Sequence, residues 1–267
     1  MDDIRLTFDR VPELYDTVRP GYPAAFFELL ADRLSANPAV LEVGPGTGQA
    51  TASLVAHGAS VTAVELGSNL AAKLAEKYEG SDQVRVVNDD FEKVTLDPQY
   101  FAAVVSATAY HWIAPEARLQ RPHELLTPDG WLAVIDLIQV GSTTDGGYFD
   151  RVQPIYHSFG DRSHDWQPPT YTSAMPPIAE ELEESELFDD PEVHRIRWDQ
   201  TYTSSQYRDL LLTYSGTQMM PEGERTDLVD QLIAVVEEDF DGSITRPLVA
   251  TLTMARMRSG TIHSTFS

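Results

Sequence analysis

Val40-Leu41-Glu42-Val43-Gly44-Pro45-Gly46-Thr47-Gly48-Gln49-Ala50-Thr51 decides the fold. An apolar run ends in a glycine-rich turn, and the turn opens into a helix. Glycines fall at Gly44, Gly46 and Gly48, with an acid, Glu42, two residues before the first. A turn of this kind lets a ligand approach bare backbone that a Cβ would shield. The helix beyond it aims free N–H groups at whatever sits there. The stretch therefore predicts a nucleotide-like cofactor at the C-terminal end of the first strand.

The same turn narrows the choice of cofactor. The dinucleotide pattern G-x-G-x-x-G, counted from Gly44, needs glycine or alanine where Gln49 stands. Counted from Gly46, it needs glycine where Thr51 stands. A phosphate-binding loop needs Gly-Lys-Ser/Thr, and no lysine lies in the turn. With no basic residue to hold a pyrophosphate, the turn suits a cofactor that carries a sulfonium cation and no phosphate. The E-x-G-x-G-x-G spacing resembles the first motif of the class I S-adenosylmethionine-dependent methyltransferases.

The residues that follow carry the resemblance onward. Ser60–Glu65 is a short β-branched run ending in an acid, and it reads as a second parallel strand. A carboxylate at its tip, Glu65 with Leu66 beside it, can accept hydrogen bonds from both ribose hydroxyls. Val84–Asn88 reads as strand three, followed by Asp89-Asp90-Phe91. The resemblance implies that an acid here receives the adenine amino group while the next apolar residue packs on the ring. Asp90 with Phe91 fits that better than Asp89. Phe101–Ser106 reads as strand four, ending at Ala107-Thr108-Ala109-Tyr110-His111-Trp112, and Ala107 is expected beside the cofactor. Leu126–Gly130 is a turn leading into strand five, Trp131–Asp136. The resemblance runs from about Phe8 to Asp136. It implies an α/β, Rossmann-like, mostly parallel seven-stranded sheet in the order 3-2-1-4-5-7-6, its last strand antiparallel, with S-adenosylmethionine as cofactor.

Length and composition set the remaining bounds. A chain of 267 residues, 42% hydrophobic, makes one large domain or a domain with a cap. No apolar run approaches the ~20 residues of a membrane span. Met1-Asp2-Asp3-Ile4-Arg5 reads as no signal peptide, and the absence of cysteine excludes disulfides, so the expected location is the cytoplasm. The 42 acids against 19 bases give a net charge of −23, which repels phosphate backbones and disfavours a nucleic-acid substrate. Lys73, Lys77 and Lys93 are the only lysines, a usage that fits either salt adaptation or a GC-rich genome. The expected partner is a small-molecule acceptor, without nucleic acid or membrane, for a monomer or homodimer.

Four stretches follow one another. Residues 1–39 form an N-terminal lid and first helix, Ala24–Leu34, opened by Pro23. Residues 40–140 form the cofactor-binding core. Residues 141–192 read as a helical and loop cap inserted after strand five, with prolines that argue against a long regular element and a short acidic helix at Glu180–Leu187. Residues 193–267 complete the sheet: His194–Thr203 as strand six, helices at Ser204–Thr213 and Pro221–Phe240, and Leu248–Met257 as the edge strand expected to be antiparallel. The run from Gln200-Thr201-Tyr202-Thr203 through Ala255-Arg256 resembles a small-molecule group of these enzymes that includes the trans-aconitate type.

Methyl transfer from a sulfonium is an in-line displacement, so the protein mainly aligns the partners and excludes water. A general base is needed only where the nucleophile keeps its proton. His111 is the leading candidate for that role, because it follows strand four; the bland reading is that it only starts a helix near Pro115. Arg19, Tyr15 and Tyr22 form a second candidate cluster, able to meet the donor's carboxylate or the acceptor; otherwise Arg19-Pro20 is a surface turn. Glu42 can accept from the donor's ammonium or brace the loop. His157, His164, Trp166 and Tyr171 can line an apolar pocket, although plain packing explains any one of them equally. Their spacing matches no metal motif, so no metal is expected. The reading is a small-molecule methyltransferase, most readily at oxygen. The alternatives are a donor-binding enzyme with a non-methylating reaction such as cyclisation, and a cofactor sensor.

Overall fold

The structure, a computed structural model, describes residues 4–7, 9, 12–19, 21–141, 147–160 and 168–259. Alternation of strand and helix begins at β1 (Ala39–Val43), α3 (Gln49–Ala56), β2 (Ser60–Glu65), α4 (Ser68–Lys77) and β3 (Val84–Asn88). It continues through β4 (Phe101–Ala107), α5 (Pro115–Arg118), α6 (Gln120–Leu125) and β5 (Leu126–Gln139). Two helices precede it, α1 (Pro12–Val18) and α2 (Ala24–Ala31). After β5 come α7 (Tyr148–Ser158), α8 (Pro177–Glu183), β6 (Glu192–Arg197) and β7 (Gln200–Thr203). The chain then forms α9 (Ser204–Leu211), α10 (Ser215–Met219), α11 (Glu222–Asp239), β8 (Ser243–Arg246) and β9 (Leu248–Arg256).

Seven strands form one sheet in the order β3-β2-β1-β4-β5-β9-β6. Pairing is parallel from β3 to β5, and β9 runs antiparallel to both its neighbours. This is the expected order, with β9 in the seventh-strand position. Strands covered on both faces need apolar side chains on both, so they read as continuous runs. Val40 and Ile135 face the layer of α2 and α3, whereas Leu41 and Val134 face the opposite layer with α8. The turn Leu126–Gly130 is absorbed into β5: Leu126 pairs with Phe101 and Trp131 with Ala103, and the residues between bulge out, with Asp129 at φ +66°.

Two expectations change. Alternation over His194–Thr203 spans two strands, not one. The chain leaves the sheet after Arg197, where Asp199 accepts from Arg197 Nε at 2.6 Å and from Tyr171 Oη at 2.7 Å. β7 then pairs with β8 in a separate two-stranded ribbon. Pro247, which has no N–H to donate, separates β8 from β9 on the partner side. Of residues 193–267, therefore, β6 and β9 complete the sheet. The ribbon, α9 and α11 instead pack with α7 around Tyr148, Tyr207, Leu211, Leu232 and Val236. The second change is the length of α7, an eleven-residue helix with Pro154 inside it, in a stretch read as helical and loop without a long regular element. Burial of Tyr148 and Val152 against α11 outweighs the lost hydrogen bond.

Candidate active site

The glycine turn closes under tight steric control. Gly44, Gly46 and Gly48 have φ of +67°, +58° and +93°, a region that side chains with a Cβ adopt at a cost. A Cβ on Gly44 would fall 2.5 Å from the Ala109 Cβ, and one on Gly48 2.6 Å from Leu74 Cδ1. Glu65 holds the turn from the next strand. Its Oε2 accepts from Gly46 N–H at 3.0 Å and its Oε1 from Gly67 N–H at 2.8 Å. Burial raises its pKa, and the two N–H groups oppose that rise. Each carboxylate oxygen keeps acceptor capacity beyond these bonds.

A cleft of about 470 Å³ opens at the C-terminal ends of β1 to β5. Gly44, Gly46, Glu65, Leu66, Asp90 and Phe91 form one half of its wall. Asp90 is held by Lys93 Nζ at 2.9 Å, Glu92 N–H at 3.1 Å and Arg5 at 3.3 Å. Burial alone would raise its pKa, but these donors outweigh burial and lower it, so Asp90 is an ionised acceptor. His111, Trp112, Gln139, Tyr202, Tyr214 and Arg246 belong to the other half.

His111 sits in a short 3-10 turn, Tyr110–Trp112, its ring 4.7 Å from the Trp112 ring. His111 lines the cleft and keeps solvent exposure. Partial desolvation, and then the Arg118 cation, lower its pKa, so it is neutral at pH 7. Arg19 also lines the cleft. Its Nε and one terminal nitrogen donate to Thr213 Oγ1 and O, both at 3.0 Å, and it stacks 5.1 Å from the Tyr214 ring centroid. Arg19 thus ties the N-terminal segment to the turn between α9 and α10. The Tyr22 hydroxyl meets Thr108 Oγ1 at 2.9 Å. Tyr15 lies on α1, and its side chain is outside the described residues.

The family described as "Methyltransferase domain" matches residues 41–134, which hold the turn, both acidic tips and β4. Residues 41–134 of this chain carry a methyltransferase domain. An uncharacterized methyltransferase of Mycobacterium tuberculosis is 25% identical over 232 residues, covering 86% of this chain and 85% of that protein. A solved phosphoethanolamine N-methyltransferase 2 of Haemonchus contortus, in complex with phosphomonomethylethanolamine and S-adenosylhomocysteine, is 16% identical. It matches with a TM-score of 0.56 over 96% of this chain and 60% of that one. The [4+2]-cyclase SpnF matches at TM-score 0.55 and 17% identity, over 95% of each chain. The protein is a methyltransferase enzyme, and S-adenosylmethionine is the cofactor of its methyltransferase domain. No helix among the described residues is long and apolar enough to cross a membrane.

The methyltransferase cleft fits that cofactor on its own geometry. The cradle at Gly44 is one that a Cβ would fill, and the lining near it offers acceptors and apolar surface in place of phosphate-binding cations. One basic residue does reach the turn from behind: Lys77 Nζ donates to Thr47 O at 3.4 Å, but Lys77 does not line the cleft.

Several expected residues stand elsewhere. Glu42 lies beneath the turn and off the cleft wall; Thr51 Oγ1 donates to its Oε2 at 2.6 Å. Burial pushes its pKa up to about 7, and the nearby Glu65 charge adds to the rise. It braces the turn against α3. Gly48 shapes the turn without lining the cleft, and Ala107 is buried while Thr108 and Ala109 take the wall position. Thr108 has φ +56°, which turns the chain there. His157 is exposed and Tyr171 packs under Arg197, neither on the cleft, whereas His164 and Trp166 lie outside the described residues. Arg5, Gln139 and Arg246 went unread in the sequence. Each comes from a segment distant from the glycine turn, and only the fold brings it there.

Proposed function

We propose that this methyltransferase moves a methyl group to an oxygen of a small-molecule acceptor seated beside the cofactor in the same cleft. The supporting observation is one continuous cavity that runs from Glu65, Asp90 and Phe91 to Tyr202 and Tyr214, with His111 on its wall. A cavity of about 470 Å³ is of small-molecule size. In the proposed complex Glu65 accepts from the ribose hydroxyls, with Leu66 against the sugar. Asp90 accepts from the adenine amino group and Phe91 covers the ring. The Gly44–Gly46 backbone borders the methionine part.

S-adenosylmethionine, when bound, supplies an electrophilic methyl on a cationic sulfur. The protein's share is alignment and dryness. Neutral His111 takes the proton from an acceptor hydroxyl at a ring nitrogen; its lowered pKa keeps the imidazole in the unprotonated form at pH 7. Arg19 holds the N-terminal segment at the cleft through its bonds to Thr213.

The test is mass spectrometry of a metabolite mixture incubated with enzyme and S-adenosylmethionine. Gain of one methyl, at an oxygen by fragmentation, supports the proposal. Turnover that proceeds equally with S-adenosylhomocysteine and adds no methyl would replace it by a non-methylating reaction. His111→Ala should slow turnover at least tenfold while S-adenosylhomocysteine affinity changes less than twofold; equal turnover removes His111 from the chemistry.

A further inference from the structure

Arg246 ends β8 on the wall of the cleft that β7 and α9 also line, just before Pro247. Its Nε donates to Gln139 Oε1 at 3.0 Å, a terminal nitrogen donates to the same oxygen, and the other donates to Tyr207 Oη at 2.6 Å. A guanidinium has five N–H donors, so two remain without a partner among the described residues. The charge has no partner either, since no carboxylate pairs with Arg246 among the described residues. The groups whose fields reach it are the phenols of Tyr207, Tyr214, Tyr156 and Tyr148. Burial pushes the Tyr148 and Tyr207 hydroxyls up, so those stay protonated and uncharged at neutral pH.

An enclosed cation without a counter-charge is unfavourable, and a frame of glutamine and tyrosine supplies hydrogen bonds but no charge. This frame stands in a chain where 42 acids face 19 bases, so an acid partner was the easy solution. The acids of the cleft, Glu65, Asp89, Asp90 and Glu92, all come from the cofactor-side strands. Around Arg246 the wall is Leu137, Leu210, Leu248, Tyr202 and Tyr214. Arg19 adds a second positive charge there: it and Arg246 both act on the Tyr202 hydroxyl.

We propose that Arg246 selects the acceptor by binding its carboxylate, and that the acceptor is a small monocarboxylic acid with an apolar body. The proposal rests on the small-molecule reading above and names its substrate class. Arg19 is turned to Thr213 and the Tyr214 ring, so the remaining N–H groups of Arg246 are the ones that fit a single carboxylate, and the leucines and tyrosines take the apolar remainder.

Calorimetry on the full chain saturated with S-adenosylhomocysteine tests this, with 3-phenylpropanoate, its primary amide and phenyl phosphate as probes. The carboxylate should bind at least tenfold more tightly than the amide. Arg246→Gln should erase that preference, Arg246→Lys should keep part of it, and S-adenosylhomocysteine affinity should stay within twofold in both. Equal binding of acid and amide to the wild type, or no binding of either, overturns the proposal. So does a preference that survives in Arg246→Gln, which leaves Arg246 a tie between β8 and β5. Tighter binding of phenyl phosphate overturns the carboxylate class. If Arg246→Gln fails to fold, Arg246→Lys decides: an acid–amide preference as large as the wild type's overturns the proposal. Failure of S-adenosylhomocysteine itself to bind would strike the methyltransferase reading instead.

Discussion

Single atoms decide what the glycine turn tolerates. At Gly44 a methyl group would meet Ala109 at 2.5 Å on a backbone already at φ +67°. Gly44→Ala should cost about 1–3 kcal/mol of stability and weaken S-adenosylhomocysteine binding, read by thermal melts and calorimetry; an unchanged affinity would show that the turn does not shape the cofactor site. Glu42 makes a pH prediction. Its carboxyl holds a proton more tightly in the folded state, with a pKa of about 7 against 4.5. Its contribution to stability is therefore complete below about 4.5 and is lost as pH rises through 7. The difference is about 3 kcal/mol. Glu42→Gln should flatten the fall in stability between pH 5 and 8 relative to the parent, in denaturant titrations. An unchanged slope would mean that Glu42 is ionised throughout. The acid–glycine spacing that revealed the turn was legible in sequence, but the direction of the Glu42 side chain was not. Its position on the strand is compatible with either cleft or core, and the Thr51 hydroxyl decides.

Among the elements, the five parallel strands were readable because burial on both faces leaves an unbroken apolar run, as at Leu132–Ile135. The split between β6 and β7 was not, because alternation continues while the hydrogen-bonding partner changes, and a period of two carries no record of its partner. The N-terminal segment is joined to the core by side chains that no periodicity marks. Asp9 Oδ1 accepts from Asn69 and Leu70 N–H, both at 2.8 Å, and so caps α4, whose own Gly67 brings no side chain. Asp9→Ala should cost about 1 kcal/mol, as a lost cap does. Faster hydrogen exchange should follow in the first turn of α4 and in α1. Protection unchanged in both segments would contradict the proposed role of Asp9 as a latch.

Over the whole molecule, a charge of −23 sets a repulsive field that acts on folding more than on any one contact. Salt shortens the reach of that field from about 30 Å at 0.01 M to about 3 Å at 1 M. The melting temperature should rise steadily across that range, and a flat response would show that local ion pairs such as Arg151–Asp239 already balance the surface. The cleft keeps its own pattern inside that field, with its acids after β2 and β3 and with Arg19 and Arg246 on the opposite wall. The half proposed for the cofactor was legible because its residues follow one another within 41–134; the half proposed for the acceptor is assembled from residues 19, 139, 202, 214 and 246, which no local motif joins.

The most direct measurement is calorimetric titration of S-adenosylhomocysteine into the wild type and into Gly46→Arg. The account predicts saturable one-to-one binding to the wild type and none to a folded Gly46→Arg, whose side chain fills the turn. Absence of binding to the folded wild type, or equal affinity in the two proteins, would contradict it.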